Sequence, residues 1–136
     1  MAKTPVTLKV DGFAEREVAG ITYSFNQATD KEGQTTGIPR GGKITIKVKA
    51  MNSGNCELLT WMLAKSLAKD GKIEFMNSAD AEKKMKDVEF KGAYCVDFVE
   101  HWEDTQSQTA LAHWEEITIT CREITNQQAT YTNDWH

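Results

Sequence analysis

Two histidines lie among carboxylates, in "EHWED" (Glu100–Asp104) and "HWEE" (His113–Glu116). An imidazole beside a carboxylate suits proton transfer or zinc ligation. The H-E-x-x-H spacing that places two imidazoles on one helical face is absent, however. On a strand, neighbours alternate faces, so His113 and Trp114 diverge. His101 and His113 therefore read first as surface charge flanking buried tryptophans, with an acid–base pair as the competing reading. Three cysteines, Cys56, Cys95 and Cys121, contain no C-x-x-C pair and read as reduced thiols in the core. No G-x-S-x-G elbow is present. "GIPRGGK" (Gly37–Lys43) carries glycines and a lysine, but a strand follows it, so no helix N-terminus is offered to a phosphate. The sequence thus implies no catalytic residue, no cofactor and no metal site, and the chain reads as a non-enzyme.

The elements that would position such groups are mostly strands. "VTLKV" (Val6–Val10) alternates apolar and polar, and Asp11-Gly12 gives a turn. Short strands are predicted over Arg16–Val18 and Ile21–Phe25. "KITIKVK" (Lys43–Lys49) sends Ile44, Ile46 and Val48 one way and Lys43, Thr45, Lys47 and Lys49 the other. Water must meet the lysine side, on an outer surface or along an aqueous lumen.

The period then changes. Leu58, Leu59, Met62, Leu63 and Leu67 share a face of a helix predicted over about 55–69. Ser53 or Asn55 would cap its start and Asp70-Gly71 would end it, with Trp61 off the stripe. Further strands are predicted over Lys72–Met76, Val88–Trp102 with a bend near Gly92, and Ala110–Ile124. A helical turn is expected within Ser78–Lys86. About seven to nine strands and one helix suggest a mainly β fold, a two-sheet barrel with a flanking helix.

The chain of 136 residues, 40% hydrophobic, suits one domain over 1–136. Its formal net charge of -4 argues against sequence-independent nucleic-acid binding. No apolar run is long enough to insert into a membrane. The alternating N-terminus lacks the apolar core of a signal peptide, which predicts cytoplasmic assembly.

One segment fits no compact-barrel rule. "ATDKEGQTTGIPRGG", a long extended loop over about 28–42, joins two strands where hairpins need two to five residues. Doubled back, it extends at most about 25 Å, against a radius of gyration of about 14 Å for a chain of this size. It can therefore reach a neighbour. Ile38, fixed beside Pro39, is its natural apolar anchor, and Arg40 its natural partner for a carboxylate.

The ordered set "YSF", a loop opening on "TD" and closing on "PRGG", "ITIKV", "ELLTWM", "KDGKIEF", "MKDVEFKGAYCVDFVEHW", "EEITITCREI" and "NDW" covers about Val6 to Trp135. It resembles the tube protein of type VI secretion systems, the haemolysin-coregulated protein family, in its short Bacteroidota-type branch. The resemblance implies a two-sheet β-barrel with a flanking helix. It implies hexameric rings stacked into a hollow, phage-tail-like tube, expelled from the cell by a contractile sheath. It implies sheath, tip and baseplate proteins as partners, and effectors in the lumen. The family's extended loop packs on neighbouring subunits and rings. Carried over here, it makes Thr29, Asp30, Lys31, Glu32, Gln34, Thr35, Ile38, Pro39 and Arg40 interface residues, and offers Lys43, Thr45, Lys47 and Lys49 as a lumen or surface face. The residues leave two other readings: a monomeric barrel binding a small apolar ligand, and an enzyme built on His101 or His113.

Overall fold

The computed structural model describes residues 6–25, 27–35, 41–50, 56–76, 84–103 and 113–132. Along the chain run β1 (Val6–Val10), β2 (Arg16–Tyr23), β3 (Lys43–Lys49), α1 (Glu57–Leu63), β4 (Lys69–Met76), β5 (Lys84–Trp102), β6 (His113–Thr120), β7 (Glu123–Asn126) and β8 (Ala129–Thr132). The expected mainly β barrel with one helix is what the described residues form. Neighbours follow the order β4-β1-β2-β3-β6-β5, and a β4–β5 pairing closes the circuit, leaving β7 and β8 as an extension from β5. Every pairing is antiparallel. Closure gives each barrel strand a neighbour on both sides over part of its length, but Val18–Tyr23 of β2 pair with β3 alone and Tyr94–Trp102 of β5 with β6 alone, so edges remain there.

Strand β5 does most to shape this topology. Its first half pairs with β4 on one side and β7 on the other, and its second half pairs with β6. The passage between the two sheets falls at Gly92, with φ +59 and a backbone so close to Arg122 that an added Cβ would meet Arg122 Cβ at 3.0 Å. A side chain there would be strained and crowded at once. The expected bend near Gly92 is therefore real, and the strand is continuous across it. A register shift between Val18 and Gly20 likewise lets β2 run unbroken where two strands were predicted.

The alternation of β3 is fully used. Ile44, Ile46 and Val48 are buried to completion and meet Ile117, Ile119, Ile73, Val88 and Phe90 inside the barrel. Burying each such side chain is worth about 1.5–3 kcal/mol. The interior is thus filled by side chains.

Four expectations need correction. The helix stops at Leu63, because Ala64 turns extended (φ -76, ψ 123) and Ser66 is left-handed (φ 56). Lys69, Asp70 and Gly71 belong to β4, so they neither face the helix dipole nor cap the helix. On so short a helix the buried residues are Leu58 and Trp61, while Leu63 is 73% and Leu67 41% exposed. Trp61, 1% exposed, sets its ring edge-on to Phe13 at 6.0 Å and donates its indole N–H to Leu67 O at 2.8 Å. The proposed caps Ser53 and Asn55 lie outside the described residues; at Cys56, in the N-cap position, no side-chain cap forms. Second, the long strand expected to run to Ile124 breaks at Cys121–Arg122, where Cys121 N–H donates to Gly42 O at 2.6 Å and Arg122 N–H to Lys91 O at 3.0 Å. Third, of the segment Ser78–Lys86, residues 84–86 are strand rather than helical turn; 78–83 lie outside the described residues. Fourth, Cys95 and Cys121 are buried free thiols, but Cys56 is exposed.

Candidate assembly surface

The histidine clusters come first, because they carried the only catalytic reading. His113 Nε2 lies 2.8 Å from Glu100 Oε2, and His101 Nε2 lies 3.7 Å from Glu103 Oε2. The two imidazoles sit on opposite faces of the β5–β6 pair. His101 stacks on Trp114 (4.8 Å between centroids, 19° between planes), and Lys47 Nζ stands 4.3 Å from the centre of the same indole. These are solvent-side imidazole–carboxylate contacts and a cation–π stack, worth about 0–1 kcal/mol each. The tryptophans beside them are not buried: Trp102 is 66% exposed and Trp114 half-exposed. Among the described residues no group of three or more His, Cys, Asp or Glu side chains could hold a metal ion.

The outward side of β3 forms a mixed face rather than a lysine stripe. Thr45 Oγ1 meets Thr118 Oγ1 at 3.3 Å, Lys49 Nζ pairs with Glu17 Oε1 at 2.8 Å, and Lys47 covers Trp114. Lys43 is exposed at the end of the strand. Because Ile44, Ile46 and Val48 fill the barrel, Lys43, Thr45, Lys47 and Lys49 lie on its outer wall.

Residue alternation on β6 hides one feature that the sequence reading missed. Glu115 shares the inward parity of Ile117 and Ile119. It is buried, as is Arg16, whose Nη2 donates to Glu115 Oε1 at 2.5 Å and to Lys49 O at 2.9 Å. A carboxylate on an apolar face requires a buried cation, and that parity was the available signal.

The long loop has structure of its own. Thr29 and Thr35 form a bridge. Asp30 N–H donates to Gln34 O at 2.8 Å, and the Asp30 carboxylate accepts from Glu32 N–H at 2.9 Å and Gln34 N–H at 3.0 Å. Gly33 supplies the left-handed corner, φ +85. An aspartate closing such a turn through its own side chain is favourable. Thr29, Asp30, Lys31, Glu32, Gln34 and Thr35 are all exposed. Ile38, Pro39 and Arg40 lie outside the described residues.

The root of this arm is clamped. Phe25 on the outgoing side and Gly41 on the returning side touch so closely that a Cβ on Gly41 would meet Phe25 Cδ1 at 2.3 Å. Gly41 N–H donates to the Tyr131 hydroxyl at 3.1 Å, and the Tyr131 and Phe25 rings lie 5.1 Å apart. Asn126 Nδ2 donates to the Tyr23 hydroxyl. Burial pushes the Tyr23 phenol up from its ordinary value, against that hydrogen bond, which lowers it. Tyr23, Phe25 and Gly41 entered the sequence reading only as parts of the YSF and PRGG motifs, and Tyr131 and Asn126 were not singled out.

Two clefts of about 300 and 330 Å³ are open to solvent, one between α1 and β5 around Trp61, Leu67 and Val96, the other around Lys9, Gly71 and Phe90. Both open to solvent at the rim of the core, and the barrel interior at Ile44, Ile46, Val48, Ile117 and Ile119 is filled by side chains. Among the described residues no helix is long and apolar enough to cross a membrane.

Residues 2–136 match the family described as Hemolysin coregulated protein Hcp (TssD). Among solved structures, Hcp1 from Flavobacterium johnsoniae superimposes with a TM-score of 0.84 at 29% identity, covering 95% of this chain and 99% of that one. Hcp1 from E. coli EAEC 042, as a double tryptophan mutant, gives 0.73 at 14% identity, covering 98% and 100%. The sheath–tube complex of the PVC extracellular contractile injection system, in its extended state, gives 0.58 at 21% identity, covering 91% and 88%. No curated protein matches by sequence.

Proposed function

The chain belongs to the hemolysin coregulated protein (Hcp, TssD) family, and from that premise we propose that it is the tube subunit of a type VI secretion system, closing into hexameric rings that stack into a hollow tube. The observation that carries this reading is the family match over residues 2–136. The likeness over nearly full length to the Flavobacterium johnsoniae Hcp1 fold supports it.

In this reading the barrel is the brick and the arm its connector. A hexameric ring needs a heterologous interface that closes after a fixed rotation. Residues 27–35 are exposed along their whole length yet locally ordered by Asp30. Ordering a free loop costs on the order of 1 kcal/mol per residue; the Asp30 turn has met part of that cost before any partner arrives. The arm, with Ile38 and Arg40 beyond the turn, packs on neighbouring subunits and rings. The outer wall at Lys43, Thr45, Lys47 and Lys49 offers a hydrated, hydroxyl- and amine-bearing face to the lumen or to the sheath side. The tube assembles in the cytoplasm, is expelled with sheath, tip and baseplate proteins as partners, and carries effectors in its lumen. Its role is structural and not enzymatic.

The test is the mass of the purified protein by light scattering, with negative-stain electron microscopy, for the natural chain and for Ile38→Asp and Arg40→Glu. Ring-shaped hexamers from the natural chain, with stacking weakened in both variants while the barrel stays folded, are the expected outcome. A clean monomer at all concentrations, or tubes formed normally by both variants, would count against the ring or the arm respectively.

A further inference from the structure

The arm leaves the barrel between Phe25 and Gly41, and both roots touch the hairpin β7–β8 as well as the strands they continue. Gly41 N–H donates to the Tyr131 hydroxyl at 3.1 Å across 90 residues of sequence. The Tyr131 ring tilts against Phe25 at 5.1 Å and 51°, and Phe25 in turn meets Tyr23 edge-on at 6.1 Å. Asn126, at the start of the same hairpin turn, holds the Tyr23 hydroxyl. One step further along, Cys121 N–H holds Gly42 O at 2.6 Å. The absence of a Cβ on Gly41 is what lets Phe25 close over the returning strand.

This cluster adds little to the core. Phe25 is exposed, Tyr131 half-buried, and neither packs among the fully buried residues. Hairpin β7–β8 pairs with the barrel through four residue pairs of β7 to β5, and its turn adds two hydrogen bonds between Gln127 and Asp87. A half-exposed tyrosine whose hydroxyl reaches a loop amide does little for stability, yet it fixes two roots relative to each other.

We propose that Tyr131 is a positioning residue for the arm: through the Gly41 amide and the Phe25 ring it sets the direction in which segment 28–42 leaves the barrel, and so whether the arm meets its neighbour. The proposal rests on the reading of the arm as an intersubunit connector. The lever is long. A tilt of about 10° at the root moves a tip about 25 Å away by about 4 Å, enough to break every hydrogen bond at an interface, since these fail within a few tenths of an ångström of their optimum. Loss of the hydroxyl alone therefore removes one restraint on the direction of the arm while leaving the barrel folded, with the Phe25–Gly41 contact and the Cys121–Gly42 hydrogen bond in place.

The experiment compares the natural chain with Tyr131→Phe, Tyr131→Ala and Ile38→Asp. The first keeps the ring on Phe25 and deletes only the hydroxyl; the second removes both contacts. Amide hydrogen exchange at Gly41 and Gly42 reports the root. Export of the protein into the medium by cells carrying the native secretion machinery reports the assembled tube. Thermal unfolding controls for the barrel. The expected result is exchange at Gly41 about fivefold faster in Tyr131→Phe, faster still in Tyr131→Ala, reduced export in both, and an unchanged melting temperature for Tyr131→Phe. Unchanged exchange at Gly41 in Tyr131→Phe overturns the inference, because the hydroxyl then does not hold the root. So does faster exchange with normal export while Ile38→Asp abolishes export; the arm then matters and its root angle does not. Normal export by Ile38→Asp removes the connector reading itself, and with it the functional role of Tyr131, whatever the exchange rates.

Discussion

Trp61 and Leu63 offer the sharpest contrast between helical periodicity and the folded chain. The periodic stripe assigns Leu63 to the core and leaves Trp61 outside it; the structure reverses them, at 1% exposure for Trp61 against 73% for Leu63. Trp61→Ala removes an indole packed on Phe13 and the hydrogen bond to Leu67 O that holds the turn after α1. A buried Trp→Ala change costs about 3–5 kcal/mol, of which about 1 kcal/mol is the lost hydrogen bond. Against a typical domain stability of about 5–15 kcal/mol, that is about a fifth of the total or more, and a drop of roughly 10–20 °C in melting temperature. Leu63→Ala gives up little buried surface and stays within about 0.5 kcal/mol. Trp61→Phe falls between, keeping a ring but leaving Leu67 O without its donor. The assay is urea denaturation followed by far-UV circular dichroism, since the substitution alters the tryptophan signal. Protein concentration must be fixed, because assembly adds apparent stability by mass action. A Leu63→Ala penalty equal to that of Trp61→Ala, and independent of concentration, would refute the burial argument. A Leu63→Ala penalty that appears only at high concentration would place Leu63 in a subunit interface and leave the argument standing.

The Arg16–Glu115 pair predicts a double-mutant pattern. Arg16→Met strands a buried carboxylate and costs about 3–5 kcal/mol, while Arg16→Met with Glu115→Leu recovers most of the loss; additive losses in urea denaturation would contradict it. The thiols predict an alkaline limb. Burial pushes Cys95 up from an ordinary 9.0 to about 11 and Cys121 to about 12. Unfolded thiols therefore ionise first. Their contribution to stability is full below about pH 9 and is lost as pH rises towards 11 and 12. Melting temperature should fall across that window, with a shallower slope in Cys95→Ala. At about pH 8 a thiol reagent should modify only exposed Cys56 in the folded protein, and all the cysteines once it is unfolded.

The period-two signal was legible wherever a strand had one apolar face, and it located β1, β3 and β6 from residue types alone. It failed where tertiary contacts set the ends. The helix was read too long because Leu63 and Leu67 keep the helical period after the chain has already turned at Ala64 and Ser66. β2 was read as two strands because a bulge and a glycine look like a turn when no partner strand is in view. The arm was legible as a length anomaly, but its internal turn at Asp30 and its clamp at Tyr131 were not. A contact across 90 residues leaves no periodic trace.

The placement of function follows from how the barrel closes. Ile44, Ile46, Val48, Ile117 and Ile119 consume the interior, so little is left inside for a ligand. Closure takes up most edges of the barrel strands, leaving one side of Val18–Tyr23 in β2 and of Tyr94–Trp102 in β5 unpaired. What the described residues offer outward includes the arm, the wall of β3, the short hairpin β7–β8 and the exposed apolar side chains of Leu63, Val96, Val99 and Trp102. The arm is ordered by the Asp30 carboxylate and held at its root by the Tyr131 phenol, the Phe25–Gly41 contact and the Cys121–Gly42 hydrogen bond. In the proposed reading the sequence acts at two levels: the apolar parity builds the barrel, and a few polar side chains at the root of the arm would set where a neighbouring subunit sits. Changes to the first set should be read in stability, and changes to the second in assembly. A variant such as Tyr131→Phe, which leaves melting untouched and still lowers export, would separate the two.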